Sequence, residues 1–320
     1  MAGGLISPSF VAEVSNFGML GSLASGYMSL AEVEQAIIEV KARTKAPFAL
    51  NIFVDYADYD TAPMPKPSEI SLIERRLGLT LDEWYIIPPL PRTTDIVQLA
   101  VDHQVPIIST VFGLLNDQDT DALKSAGILL MTTVNSIEEV EIAIQNQKSD
   151  VLIFQSRNAG GHQGGFLENR HTTSRSIQEQ MGIYPNTPCI AAGGVVDSAD
   201  IGKSIERGFD GVQIGTGFLA TEESSASQGY KQALVEAESA RSTVVTTSIT
   251  GKSARGIKNP LACLVLDQNP GFPYLHYATA SLRKHAKAID DLNFQSLWAG
   301  TGVSKITAIP SLSDYMRSLL

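Results

Sequence analysis

The feature that most constrains this fold is an alternation of short apolar runs with amphipathic stretches, sustained as far as residue 216. Apolar runs fall at residues 18–23, 47–54, 105–112, 127–133, 150–155, 189–192 and 211–214. Between them, residues 30–44, 94–103, 117–126 and 136–147 space their apolar side chains as helices do. Runs that are apolar on both faces belong to parallel strands, and the intervening helices supply the crossovers. The sequence therefore predicts an α/β fold, a TIM (β/α)8-type barrel with seven strands where a closed barrel has eight. The barrel is expected to lack its first strand, which would precede Met1, and to open between the strands at Met19 and Val212.

Residues 55–94 break the alternation with prolines, paired aromatics and one helical stretch at 68–77, and read as an insertion. With it, residues 1–223 form the expected barrel. Residues 224–320 read as a helical tail capping the barrel mouth: a long helix, a loop at 251–259, a helical part at 281–290 and a final helix from Ser311. Tyr274 and Tyr277 on this tail are candidate lid residues.

Composition narrows the partners. A chain of 320 residues, 43% hydrophobic and 18% charged, has ample material for a core and no apolar run long enough to span a bilayer. Its net charge of −10 argues against nucleic acid or an anionic membrane as a partner. The first residues lack the basic region and apolar core of an export signal, so the expected location is cytoplasmic. Cys189 and Cys263 show no metal-ligand spacing and are expected as free buried thiols.

Candidate functional residues sit at strand ends. The runs at 189–192 and 211–214 exit into Gly193-Gly194 and Gly215-Thr216. Adjacent glycine exits can bring main-chain N–H groups onto one anion, as in a barrel's phosphate site; the bland alternative is a pair of ordinary turns. His162 follows the run at 150–155 inside a glycine-rich loop, where this fold places catalytic groups. An imidazole held there can exchange a proton with carbon near neutral pH, whereas a surface-loop histidine would do nothing. Asn51 interrupts an apolar strand and either lines a cavity or is satisfied by a neighbouring strand. Gln155 either meets a planar heterocycle or is bonded within the core. No P-loop and no dinucleotide fingerprint opening a helix is present, and His162 with His171 matches no metal spacing, so no metal is expected.

Five motifs follow one another along the chain: Ala159-Gly160-Gly161-His162, Ala191-Ala192-Gly193-Gly194, Gln213-Ile214-Gly215-Thr216 with Phe218-Leu219-Ala220-Thr221-Glu222, Ala254-Arg255-Gly256, and Ser296-Leu297-Trp298-Ala299-Gly300. In this order they resemble the serial motifs of nitronate monooxygenases, formerly 2-nitropropane dioxygenases, over essentially the whole chain. The resemblance implies an FMN-bearing flavoprotein that oxidises alkyl nitronates with O2 to carbonyl compounds and nitrite. It implies flavin ring and ribityl contacts from Asn51, Gln155 and Gly160, and phosphate contacts from Gly194, Gln213, Ile214, Gly215 and Thr216. Met1, Ala2 and Gly3 resemble a further flavin-touching loop, and His162 matches the family's base, which would serve neutral nitroalkanes. The chain departs from many relatives in carrying Asn158 where they carry Glu, and it begins in mid-motif. Two other readings stay open: an FMN-dependent NAD(P)H oxidoreductase of the quinone-reductase or enoyl-thioester-reductase type, and a non-catalytic remnant.

Overall fold

The computed structural model describes residues 5–54, 59–79, 83–167 and 186–320. In chain order its strands are Gly21–Ala24 (β1), Phe48–Phe53 (β2), Met64–Pro65 (β3), Trp84–Tyr85 (β4), Ile107–Val111 (β5), Leu129–Val134 (β6), Val151–Gln155 (β7), Gly161–His162 (β8), Cys189–Ala192 (β9), Gly211–Gln213 (β10), Thr243–Thr246 (β11) and Ala254–Ile257 (β12). Seven of them form one curled parallel sheet in the order β1-β2-β5-β6-β7-β9-β10. Burial explains why the strands were legible: β2 is buried at all six positions, as a strand covered on both faces must be. The fold is TIM-barrel-like, a half-barrel with helices around it, as the alternation predicts.

The helices begin where their sequences say they should. Leu30–Arg43 (α2) opens on a capping box of Ser29 and Glu32, and Ile137–Gln145 (α6) on one of Ser136 and Glu139. Each box satisfies two first-turn donors that the helix itself leaves orphaned. No helix among the described residues is long and apolar enough to cross a membrane.

The sheet is open between β1 and β10, which do not pair with each other, in agreement with the expected opening. A helix missed in the sequence, Pro8–Asn16 (α1), covers the β1 edge. Gly21 permits the approach: a Cβ there would lie 2.3 Å from the Val11 carbonyl oxygen, and the Gly21 N–H donates to Ser15 Oγ at 3.2 Å. Phe10 and Val14 of this helix then pack with Leu312 and Met316 of the C-terminal helix and with Phe218, just past β10. Among the described residues, side chains rather than a strand join the two edges, which keeps exposed backbone off the surface.

Several expectations need correction. The first strand is Gly21–Ala24, beginning after Met19. The long helix after residue 223 is only eight residues, Gln228–Val235, and the stretch expected as a loop at 251–259 contains β12. For the strand this is not a matter of propensity: Ala254–Ile257 pairs with Thr243–Thr246 on one side and with β8 on the other, the latter a non-local contact that overrides a weak local pattern. Both cysteines are free, but only Cys189 is buried; Cys263 is exposed. The insertion pairs β3 with β4 and adds the helix Ser68–Arg76 (α3), whose Ile70 packs on Ile249, Leu261 and Leu282 of the tail.

Candidate functional site

His162 lies on β8, where it pairs antiparallel with Ala254 of β12. To reach that pairing the chain turns through a positive φ of 75° at Gly161, and Gly160 packs so closely that a Cβ would lie 2.6 Å from the Gly300 nitrogen. The loop is held from the ends of three neighbouring elements. Gln155 donates through Nε2 to the His162 carbonyl at 3.0 Å and accepts the Gly164 N–H on Oε1 at 2.6 Å. Asn135 accepts the Gly165 N–H at 2.5 Å. Glu139, fully buried in the first turn of α6, accepts from Ser136 at 3.1 Å, from Phe166 and Leu167 at 2.5 Å each, and from the Asn135 N–H. Burial pushes its carboxyl pKa up while these amides pull it the other way.

The imidazole of His162 is surrounded by aromatic rings: Trp298 at 5.5 Å, Phe112 at 5.8 Å and Phe272 at 5.9 Å between centroids. Its Nε2 lies 2.8 Å from Thr250 Oγ1. Burial in this apolar setting, with Lys252 and Arg283 adding to it, lowers the pKa to about 3, so the ring is neutral at pH 7. Thr250 Oγ1 also lies 3.4 Å from the Lys252 carbonyl, an acceptor for its hydroxyl hydrogen that would let Oγ1 receive Nε2–H and leave the lone pair on Nδ1.

The ring forms part of the wall of a cavity of about 380 Å3, together with Tyr27, Thr250, His276, Arg283 and Trp298. Of these only His162 stood out in the sequence as a candidate catalytic residue, while Trp298 stood within the last of the five motifs. His276 stacks on Tyr27 with centroids 3.8 Å apart, and burial followed by Arg283 holds its pKa well below the usual value. A histidine flanked by tyrosines in Tyr274–Ala278 was the available signal. Tyr277 packs edge-on against His276 at 4.9 Å, and its buried hydroxyl has no partner among the described residues. Tyr274 Oη accepts the Asp60 N–H at 3.4 Å, on the insertion. Neither tyrosine lines the cavity.

The remaining predicted residues fall into two groups. At the exits of β9 and β10, which pair through Ala192 and Gln213, the loops of Gly194 and Thr216 are neighbours. A third loop joins them: Gly300 N donates to Thr216 Oγ1 at 3.0 Å, Thr301 N donates to the Asn158 carbonyl at 2.9 Å, and a Cβ on Gly194 would sit 3.4 Å from Thr301 Oγ1. Asn51 and Gln155, by contrast, have their amides engaged inside the protein, Asn51 donating to Ser109 Oγ at 3.0 Å. Met1, Ala2, Gly3 and His171 lie outside the described residues. No cluster of metal-binding side chains occurs among the described residues.

The relatives of this chain share its scaffold. A probable nitronate monooxygenase of Bacillus subtilis (strain 168) is 32% identical over 335 residues, covering 100% of this chain and 93% of that protein. Another, from Staphylococcus saprophyticus, is 34% identical over 306 residues, covering 93% and 86%. Among solved structures, nitroalkane oxidase from Streptomyces ansochromogenes superposes with a TM-score of 0.83 at 28% identity, covering 100% of this chain and 92% of its own. FabK from Thermotoga maritima shares the fold, with a TM-score of 0.74 at 24% identity over 100% and 89% of the two chains. Scaffold and relatives define the class, a flavin-dependent oxidoreductase on a TIM-barrel-like half-barrel. Within that class, the match to the nitronate monooxygenase family over residues 1–320 settles membership: the chain belongs to that family.

Proposed function

We propose that this enzyme holds FMN at the strand exits and oxidises alkyl nitronates with O2 to carbonyl compounds and nitrite. The donor set suits an anionic tail. Gly193 and Gly194 turn through φ of 106° and 82°, which presents main chain rather than side chain, and open space lies where a Cβ on Gly215 would point. Gly194 and residues 213–216 would hold the phosphate, with Gly160, Asn51 and Gln155 nearer the ring, as the family resemblance implies. Bound there, the flavin supplies the electron transfer from nitronate to O2.

The observation that carries this reading is the neutral imidazole of His162 in the wall of an aromatic-lined cavity. With Nε2–H given to Thr250, Nδ1 is the atom that accepts a proton from carbon. A base whose conjugate acid has a pKa of about 3 removes such a proton poorly, so the neutral nitroalkane is the weaker substrate and the ready-made nitronate the better one. Phe112, Phe272 and Trp298 exclude water around the ring.

The test is nitrite release when purified, FMN-loaded protein meets an alkyl nitronate in air. Stoichiometric nitrite supports the reading. Rapid bleaching of the flavin by NAD(P)H without nitrite would assign the chain to reductase chemistry instead, and protein that takes up no flavin would fit a non-catalytic remnant.

A further inference from the structure

Arg283 is a half-buried cation in the cavity wall whose hydrogen bonds all go to neutral partners. Its Nε donates to Thr279 Oγ1 at 3.0 Å, Nη2 to the His276 carbonyl at 2.7 Å and to His276 Nδ1 at 3.3 Å, and Nη1 only to Ser296 Oγ at 3.5 Å. No carboxylate pairs with it among the described residues. The cavity wall repeats this imbalance: it carries Arg283, Lys284 and Lys287 and no acidic residue, in a chain whose net charge is −10. Asp290, behind the wall, is engaged by Ser227, Gly229 and Gln295.

A buried charge is retained at a cost unless something compensates it, and a guanidinium fork matches a planar pair of oxygens. The two imidazoles beside it bring no negative charge, and burial together with Arg283 keeps both neutral. Nη1 has donor capacity to spare, because five N–H groups serve four contacts, one of them long. We propose that Arg283 is the substrate-anion site of this cavity, its spare Nη1 N–H donating to an oxygen of the nitronate group. The proposal rests on the nitronate reading given above and adds the residue that selects the anion over the neutral nitroalkane. Lys284 and Lys287, exposed at the mouth, draw the anion inward.

Flavin-loaded wild type, Arg283→Met and Arg283→Lys are compared with an alkyl nitronate and with the corresponding neutral nitroalkane. Losing a charge-assisted hydrogen bond raises KM for the nitronate roughly 10- to 100-fold in Arg283→Met, with an intermediate value in Arg283→Lys, which keeps the charge but not the fork. The kcat/KM for the neutral nitroalkane does not fall in parallel, because that substrate brings no charge to pair and loss of the guanidinium makes His162 more basic. Independently of turnover, sodium nitrate raises the melting temperature of the wild type and not of Arg283→Met, relative to equal ionic strength of sodium chloride. An unchanged nitronate KM in Arg283→Met, or a nitrate shift that survives the substitution, overturns the proposal. Wild type that makes no nitrite from any nitronate would instead overturn the function reading, and the nitrate titration still judges the anion site by itself.

Discussion

His162 and Thr250 are joined by a 2.8 Å contact between Nε2 and Oγ1, although they stand 88 residues apart in the chain. That contact couples the ring's tautomer to the Thr250 hydroxyl, and it exists only because β12 brings the tail alongside β8. Replacing Thr250 by Val removes the acceptor and lets the ring turn or change tautomer. We expect kcat for neutral nitroalkane to fall roughly 10- to 100-fold, with Thr250→Ser restoring most of it. Steady-state rates at several pH values check this; equal rates in Thr250→Val would assign the proton elsewhere.

Stability should fall in mild acid. The folded pKa of His162, about 3, lies below its ordinary value of 6.5, so in that interval the unfolded chain binds more protons than the folded one. His276 is shifted in the same direction. The stability His162 contributes is full above about pH 6.5 and is lost as pH drops toward 3, at about 1.4 kcal/mol per pH unit, and His276 adds a loss of the same sign. Urea unfolding between about pH 7.5 and 5 measures the slope, and His276→Phe should reduce it. A flat profile over that range contradicts the assignment.

Glu139 is a clamp on the loop that carries His162, through its bonds to Phe166 and Leu167. Glu139→Ala leaves buried amides unsatisfied and should cost about 2–4 kcal/mol, since hydrogen bonds to a charged group are the strong ones. Limited proteolysis should then cut within residues 156–167, sites protected in the wild type. Uncut protein of unchanged stability would show that the clamp is redundant.

Gly194 adopts φ of 82°, where an alanine is strained by roughly 1–2 kcal/mol. Its Cβ would also meet Asn158 and Thr301 at 3.4 Å. Gly194→Ala should therefore fold with modestly lower stability but retain less flavin, read as a lower ratio of visible to ultraviolet absorbance. Full flavin content would move the phosphate away from this loop.

The strands of the main sheet were legible as short, mainly apolar runs, and Gly193-Gly194 because two successive positive φ values favour glycine. His162 was legible for the same local reason. The rest of the cavity was not, because Thr250, His276, Arg283 and Trp298 come from the tail, and only the pairing of β8 with β12 carries them to the strand exits. A strand as short as Gly161–His162 has no periodicity to read. Asn51 shows the converse limit: its interruption of the run was plain, but only the structure shows its amide turned to Ser109 on the adjacent strand.

The join between β1 and β10 is made by Phe10, Val14, Phe218, Leu312 and Met316, whose contacts involve no backbone ladder. Such a seam can part without tearing a single main-chain bond of the sheet, so breathing of the molecule starts there. Deuterium should enter the amides of β1 and β10 well before those of β6, which has a neighbour on either hand and is released only when the whole sheet comes apart.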